Sequence, residues 1–182
     1  MQIRIGFSKR NMAFSKFLKW TERRPYSHCY IRYHHPFTGQ DLILHAAGFS
    51  IHTLTFENFQ KHGNIVVKEY AIDIKDRNKL REVYTFIYEV SGNPYGWVQL
   101  IGMGLVKVAD FFGKKIKNPL ADKDKTMVCS EFCAHVASKT GINVDLAHAE
   151  EGGPSWVDLT LQRAGLVPIE VAEESYTPPQ SL

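Results

Sequence analysis

The sequence predicts an α+β fold, with an antiparallel hairpin among its strands and a helix that opens with a cysteine. Three observations predict it. Two runs rich in aromatic and β-branched residues, Ser27 to Tyr33 and Leu42 to Ala47, flank a turn-rich loop carrying Pro36 and Gly39. That is the pattern of an antiparallel hairpin with a long connection. Segments of helical spacing occupy the later chain, the clearest from Asp76 to Val90 with Leu80, Val83, Tyr84, Ile87 and Tyr88 on one stripe. Finally, the short apolar approach Met127-Val128 breaks at Cys129, and helix-period residues run on to Lys139, Thr140 and Gly141.

Taken in order, Ile3 to Phe7 reads as a short strand and Asn11 to Trp20 as a short helix or lid. The hairpin follows. Thr53 to His62 has helical spacing and stops at Gly63, and Asn64 to Ile74 alternates as another strand. Asp76 is placed to cap the next helix, which Gly92-Asn93-Pro94 ends. The longest apolar run, Trp97 to Phe112, carries Lys107 and Asp110 and falls short of the ~20 residues that cross a bilayer. It reads as a core helix, with contact to a membrane surface as the alternative. After Gly141, a Gly152-Gly153-Pro154-Ser155 turn leads into a helix from Trp156 to Arg163, and Leu166 to Val171 reads as a last strand. Residues 1–172 make one domain, and residues 173–182, with two prolines, form a loose tail.

Composition narrows the function. A net charge of +3 is too mild to argue for nucleic acid. Lys114, Lys115, Lys117, Lys123 and Lys125 form a basic loop that a solvated surface explains, with an anionic surface as the rival. Three cysteines leave one unpaired, and their spacing is not that of a secreted disulfide framework. The N-terminus lacks the apolar core of a signal peptide, which predicts a protein made in the cytoplasm, with delivery by another route open.

Cys129 carries the chemistry. At the start of a helix its sulfur meets unpaired N–H groups and the positive end of the dipole, which favour a thiolate nucleophile. A buried, inert cysteine is the plain alternative. A thiol hydrolase also needs a base and a group to orient that base. Of the eight histidines, His34 and His35 sit in a loop, His52 and His62 at element ends, and His148 in an Ala/Glu loop. His135 lies nearly two helical turns from Cys129, too far to share its proton. His28 and His45 remain, one on each strand of the hairpin, where neighbouring strands can bring side chains within ~5 Å.

Ser27-His28-Cys29-Tyr30-Ile31, then Leu42-Ile43-Leu44-His45-Ala46, then Cys129-Ser130-Glu131-Phe132 resemble the permuted NlpC-type cysteine hydrolases. That branch of the papain-like superfamily includes YiiX-like proteins and lecithin:retinol acyltransferase relatives. Its histidine strand precedes its cysteine helix, the order found here. Gly92-Asn93-Pro94-Tyr95-Gly96-Trp97 is similar to the segment before the cysteine in YiiX-like chains, and Gly153-Pro154-Ser155-Trp156 to the turn and helix after it. The loop between the histidines is longer than in the acyltransferase branch.

The resemblance implies a permuted papain-like fold, with an antiparallel sheet or half-barrel against the cysteine helix. It also implies Cys129 as nucleophile, His28 as base and His45 as the third polar residue. No cofactor or metal is implied. Tyr26 and Tyr30 are candidates to line the cleft, although aromatic strand residues also serve as plain core. Cys29, next to His28, points to the opposite sheet face and is assigned to packing. The implied activity is amidase or peptidase action on peptidoglycan-type peptides, and the competing substrate is a lipid ester or amide. Two other classes stay open: a Cys/His zinc site drawing on Cys129, Cys133, His28 and His45, and a non-catalytic papain-like binding module.

Overall fold

The computed structural model describes residues 1–11, 15–16, 19, 23–47, 50–94, 102, 106, 109, 113–116, 127–149 and 152–171. The elements are β1 (Gln2–Lys9), β2 (His28–His34), β3 (Asp41–Ala47), β4 (Ser50–Thr55), α1 (Phe56–Lys61), β5 (Ile65–Asp73), α2 (Arg77–Val90), α3 (Cys129–Thr140), a 3-10 turn (Leu146–His148), α4 (Pro154–Arg163) and β6 (Ile169–Glu170). The six strands form one antiparallel sheet in the order β4-β3-β2-β1-β5-β6. The expected helices over 11–20 and 97–112, the segment 95–97 and the tail 173–182 fall mostly or wholly outside the described residues. So do Lys117, Lys123 and Lys125. Among the described residues no helix is long and apolar enough to cross a membrane.

Strand alternation divides the sheet into two unequal faces. Ile3, Ile5 and Phe7 of β1 and Cys29, Ile31 and Tyr33 of β2 enter the main core. There they meet Phe86 and Ile87 of α2, Phe132 and Val136 of α3, and Val157 and Leu161 of α4. The opposite face holds a smaller core of Tyr30, Ile43, Phe59 and Val66, closed by α1. Gly6 makes this second face possible. A Cβ on Gly6 would stand 2.2 Å from the Tyr30 ring, its register partner, so only glycine lets that ring lie across β1.

Helix ends follow local chemistry. The Asp76 carboxylate accepts the Asn78 N–H at 2.8 Å to start α2, as expected from the sequence. Gly141, at φ 98°, closes α3 in the left-handed conformation that glycine adopts without strain. Pro154 stands in the first turn of α4, where a missing N–H costs nothing. One expectation is corrected. Thr53, Leu54 and Thr55 belong to β4, paired with Leu44, Ile43 and Leu42, and the helix begins only at Phe56. The Thr55 hydroxyl caps it by accepting the Asn58 N–H, so the β-branched residues before the cap stay extended.

Candidate active site

Cys129 is the first residue of α3, as its sequence context predicts, and is 4% exposed. His28 is the first residue of β2, and these two element ends meet. Hydrogen bonding to Cys29 and burial push the Cys129 thiol well above its ordinary range, while His28 acts in the opposite direction. Cys29 does point away from the His45 side of the sheet, into the main core, and there it interacts with both helix thiols, Cys129 and Cys133. All three cysteines are buried thiols, none in a disulfide. The Cys29 hydrogen bond and burial both favour the protonated thiol over a standing thiolate–imidazolium pair.

His28 and His45 are brought together, with ring centroids 5.5 Å apart and planes at 72°. His45 is 4% exposed and stacks edge-on against Phe59 at 5.2 Å. Burial, followed by the charges of His28, His52, Arg10 and His62, drives its pKa down to about 2, so it is neutral at physiological pH. Nε2 of His28 and Nδ1 of His45 are buried without a hydrogen-bond partner among the described residues. Ser8, the register partner of His28, adds its Oγ to these orphaned atoms. Leaving such a group unsatisfied costs roughly 1–3 kcal/mol, so these atoms have hydrogen-bonding capacity that no described residue uses.

Tyr26 and Tyr30 are placed elsewhere. The Tyr26 hydroxyl donates to Asp158 Oδ2 at 2.5 Å, and Tyr70 donates to Asp158 Oδ1 at 2.5 Å. Lys68 Nζ lies 2.7 Å from the same carboxylate. Burial would raise the Asp158 carboxyl, but hydrogen bonds from Lys68, Tyr26 and Tyr70 outweigh it and hold it below the usual carboxylate range. The Tyr30 hydroxyl donates to Glu69 at 2.8 Å, beneath Arg4 at 2.9 Å and Arg32 at 3.3 Å. With exposures of 1% and 0%, neither tyrosine offers surface to a ligand in this state.

Sequence reasoning missed His52. It is the register partner of His45 on β4, and their Nε2 atoms stand 3.2 Å apart. The signal was present in the β-branched alternation of Ile51, Thr53 and Thr55, which marks a strand and would have set His52 beside His45. The Gly92-Asn93-Pro94 segment supports this strand: Ile51 N donates to Asn93 O at 2.9 Å and Gly92 N to Ile51 O at 2.8 Å. His135 instead packs against Phe86 at 5.5 Å, and His148 pairs with Asp145 at 2.6 Å. That pair lines an open pocket of about 520 Å³ with Trp156 and Arg163. Among the described residues no group of three His, Cys, Asp or Glu side chains is arranged to hold a metal ion. No protein-family model matches the chain, and no curated protein matches it in sequence.

Proposed function

We propose that this chain is a cysteine hydrolase of permuted papain-like type that cleaves amide bonds by acyl transfer through Cys129, His28 and His45. The observation that carries the reading is the meeting of Cys129, at the head of α3, with His28, whose buried Nε2 lacks a partner and whose ring adjoins neutral His45. The raised thiol supports general-base activation over a resting ion pair. Cys129 gives its proton to His28 as it attacks, in general-base fashion, rather than resting as an ion pair. Cys129 Sγ bonds to the carbonyl carbon, and His28 returns the proton to the leaving amine. Water then cleaves the thioester with His28 again as base. The first N–H groups of α3 have no intrahelical partner and are available to stabilise the oxyanion. None of these steps calls on a cofactor. The substrate class, peptidoglycan-type peptides, follows from the family resemblance.

The test is mass spectrometry of the intact protein after exposure to peptidyl amide substrates and a peptidyl electrophile. The expected result is a single acyl adduct on Cys129, absent in Cys129→Ser and slowed by roughly 10²–10⁴-fold in His28→Ala. Equal labelling of Cys29 and Cys133, or labelling indifferent to His28→Ala, would overturn the reading. Acylation by lipid esters but not by peptide amides would overturn the substrate class alone.

A further inference from the structure

The His45–His52 contact fixes which nitrogen of each ring carries a proton. His52 Nδ1 lies 3.3 Å from the Ser50 carbonyl oxygen. A carbonyl only accepts, so Nδ1 of His52 is the protonated nitrogen, and in a neutral ring its Nε2 is then bare. That bare nitrogen stands 3.2 Å from His45 Nε2, so His45 must be the donor there. His45 is neutral, and a neutral imidazole carries one proton, which leaves its Nδ1 bare. Nδ1 is the buried atom of His45 without a partner, and the adjoining ring of His28 carries the complementary orphan, Nε2.

We infer that His52 is a positioning residue for the Cys129–His28 pair, acting through His45 to hold His28 with its proton on Nε2 and its Nδ1 bare toward the thiol. The inference rests on the hydrolase reading above. The bonded part of the row runs one way, from His45 Nε2–H to His52 Nε2 and from His52 Nδ1–H to the Ser50 carbonyl, and it leaves His45 Nδ1 bare in the ring next to His28, whose Nε2 is the complementary unpartnered atom.

Acid reverses this row. A second proton on His52 turns its Nε2 into a donor, and His45 must then accept on Nε2 and carry its own proton on Nδ1. His45 then carries an N–H where it had a bare nitrogen, so the neighbouring His28 ring loses the acceptor that favours its Nε2 proton and leaves Nδ1 free. The charged and titratable groups acting on His45 are His28 from β2, His52 from β4, Arg10 after β1 and His62 after α1. Phe59 of α1 adds only an apolar edge. His52 is the exposed member of the row, so it is the one that solvent protons reach directly.

The experiment uses the full chain with 15N-labelled histidine, reading tautomers from imidazole 15N–1H spectra across pH in the parent, His52→Ala and His52→Gln. In the parent His45 should carry its proton on Nε2 at high pH and switch to Nδ1 at the inflection of the His52 ring itself. His52→Ala should abolish that inflection and slow Cys129 labelling by roughly one to two orders of magnitude at neutral pH. The Gln carbonyl accepts a hydrogen bond but takes no proton. His52→Gln should therefore keep the neutral-pH rate and hold the His45 tautomer constant through acid, which a merely structural role would not produce. A His45 tautomer that stays constant with pH in the parent, beside labelling that still depends on His28, overturns the positioning role alone. Labelling indifferent to His28 overturns the hydrolase reading and the role with it.

Discussion

Two of the buried polar clusters in this fold, around Asp158 and around His28, are built on opposite terms. Around Asp158 every demand is met: Tyr26, Tyr70, Lys68 and Gln162 all direct donors to one carboxylate. The Lys68 ammonium also lies 5.2 Å from the centre of the Tyr26 ring, so its charge is held from several sides. Around His28 the terms are reversed. Three buried polar atoms, on Ser8, His28 and His45, have no partner among the described residues, and the nearby thiol is pushed away from its charged form. A satisfied network fixes α4 to the sheet. An unsatisfied one stores free energy that a ligand or a moving proton can recover, which is why we place the chemistry there.

The largest effect expected from this contrast is on the satisfied side. Asp158→Ala strips the partner from a buried lysine and two tyrosines, and should cost about 3–5 kcal/mol in chemical denaturation. A loss below about 1 kcal/mol would mean that water already shares the network. The effect expected from the orphaned side is spread over pH. An unfolded histidine takes its proton near pH ~6.5, whereas folded His45 takes one only at about pH 2. Between those values the unfolded state binds more protons, so stability falls as pH falls, by up to about 1.4 kcal/mol per unit. Above ~6.5 the difference vanishes. His45→Gln should flatten this acid slope in denaturation curves taken from pH 7 to pH 4. Parallel slopes in parent and variant would show that His45 is solvated in the folded protein.

Much of this was legible in the chain, for reasons that differ by element. The strands β1, β2, β3 and β5 declare themselves by two-residue alternation, and α2 and α3 by an Asp76 cap and a Gly141 stop. The position of Cys129 at a helix start was readable because the break in the apolar run and the helical period coincide there. β4 was not, because Thr53 to Thr55 also satisfies the spacing of the helix it precedes, and a threonine cap looks the same from either side. Losing β4 concealed His52, since a strand register is a tertiary fact. Tyr26 and Tyr30 were misleading for a related reason. Their neighbours in sequence are the site residues, but their hydroxyl partners, Asp158 and Glu69, lie far along the chain. The raised Cys129 thiol was also hidden, because a helix start predicts a lowered value and the opposing contact comes from Cys29 on another element.

The most direct test of the account is the pH dependence of Cys129 alkylation by a small uncharged electrophile, in the parent and in His28→Ala. Burial and Cys29 hold the thiol above the ~8.5 of an ordinary cysteine, so without a base it should react only in alkaline solution. The account predicts that the parent reacts through the neutral range and that His28→Ala confines the reaction to alkaline pH. Superimposable profiles would contradict it and leave Cys129 as a core thiol.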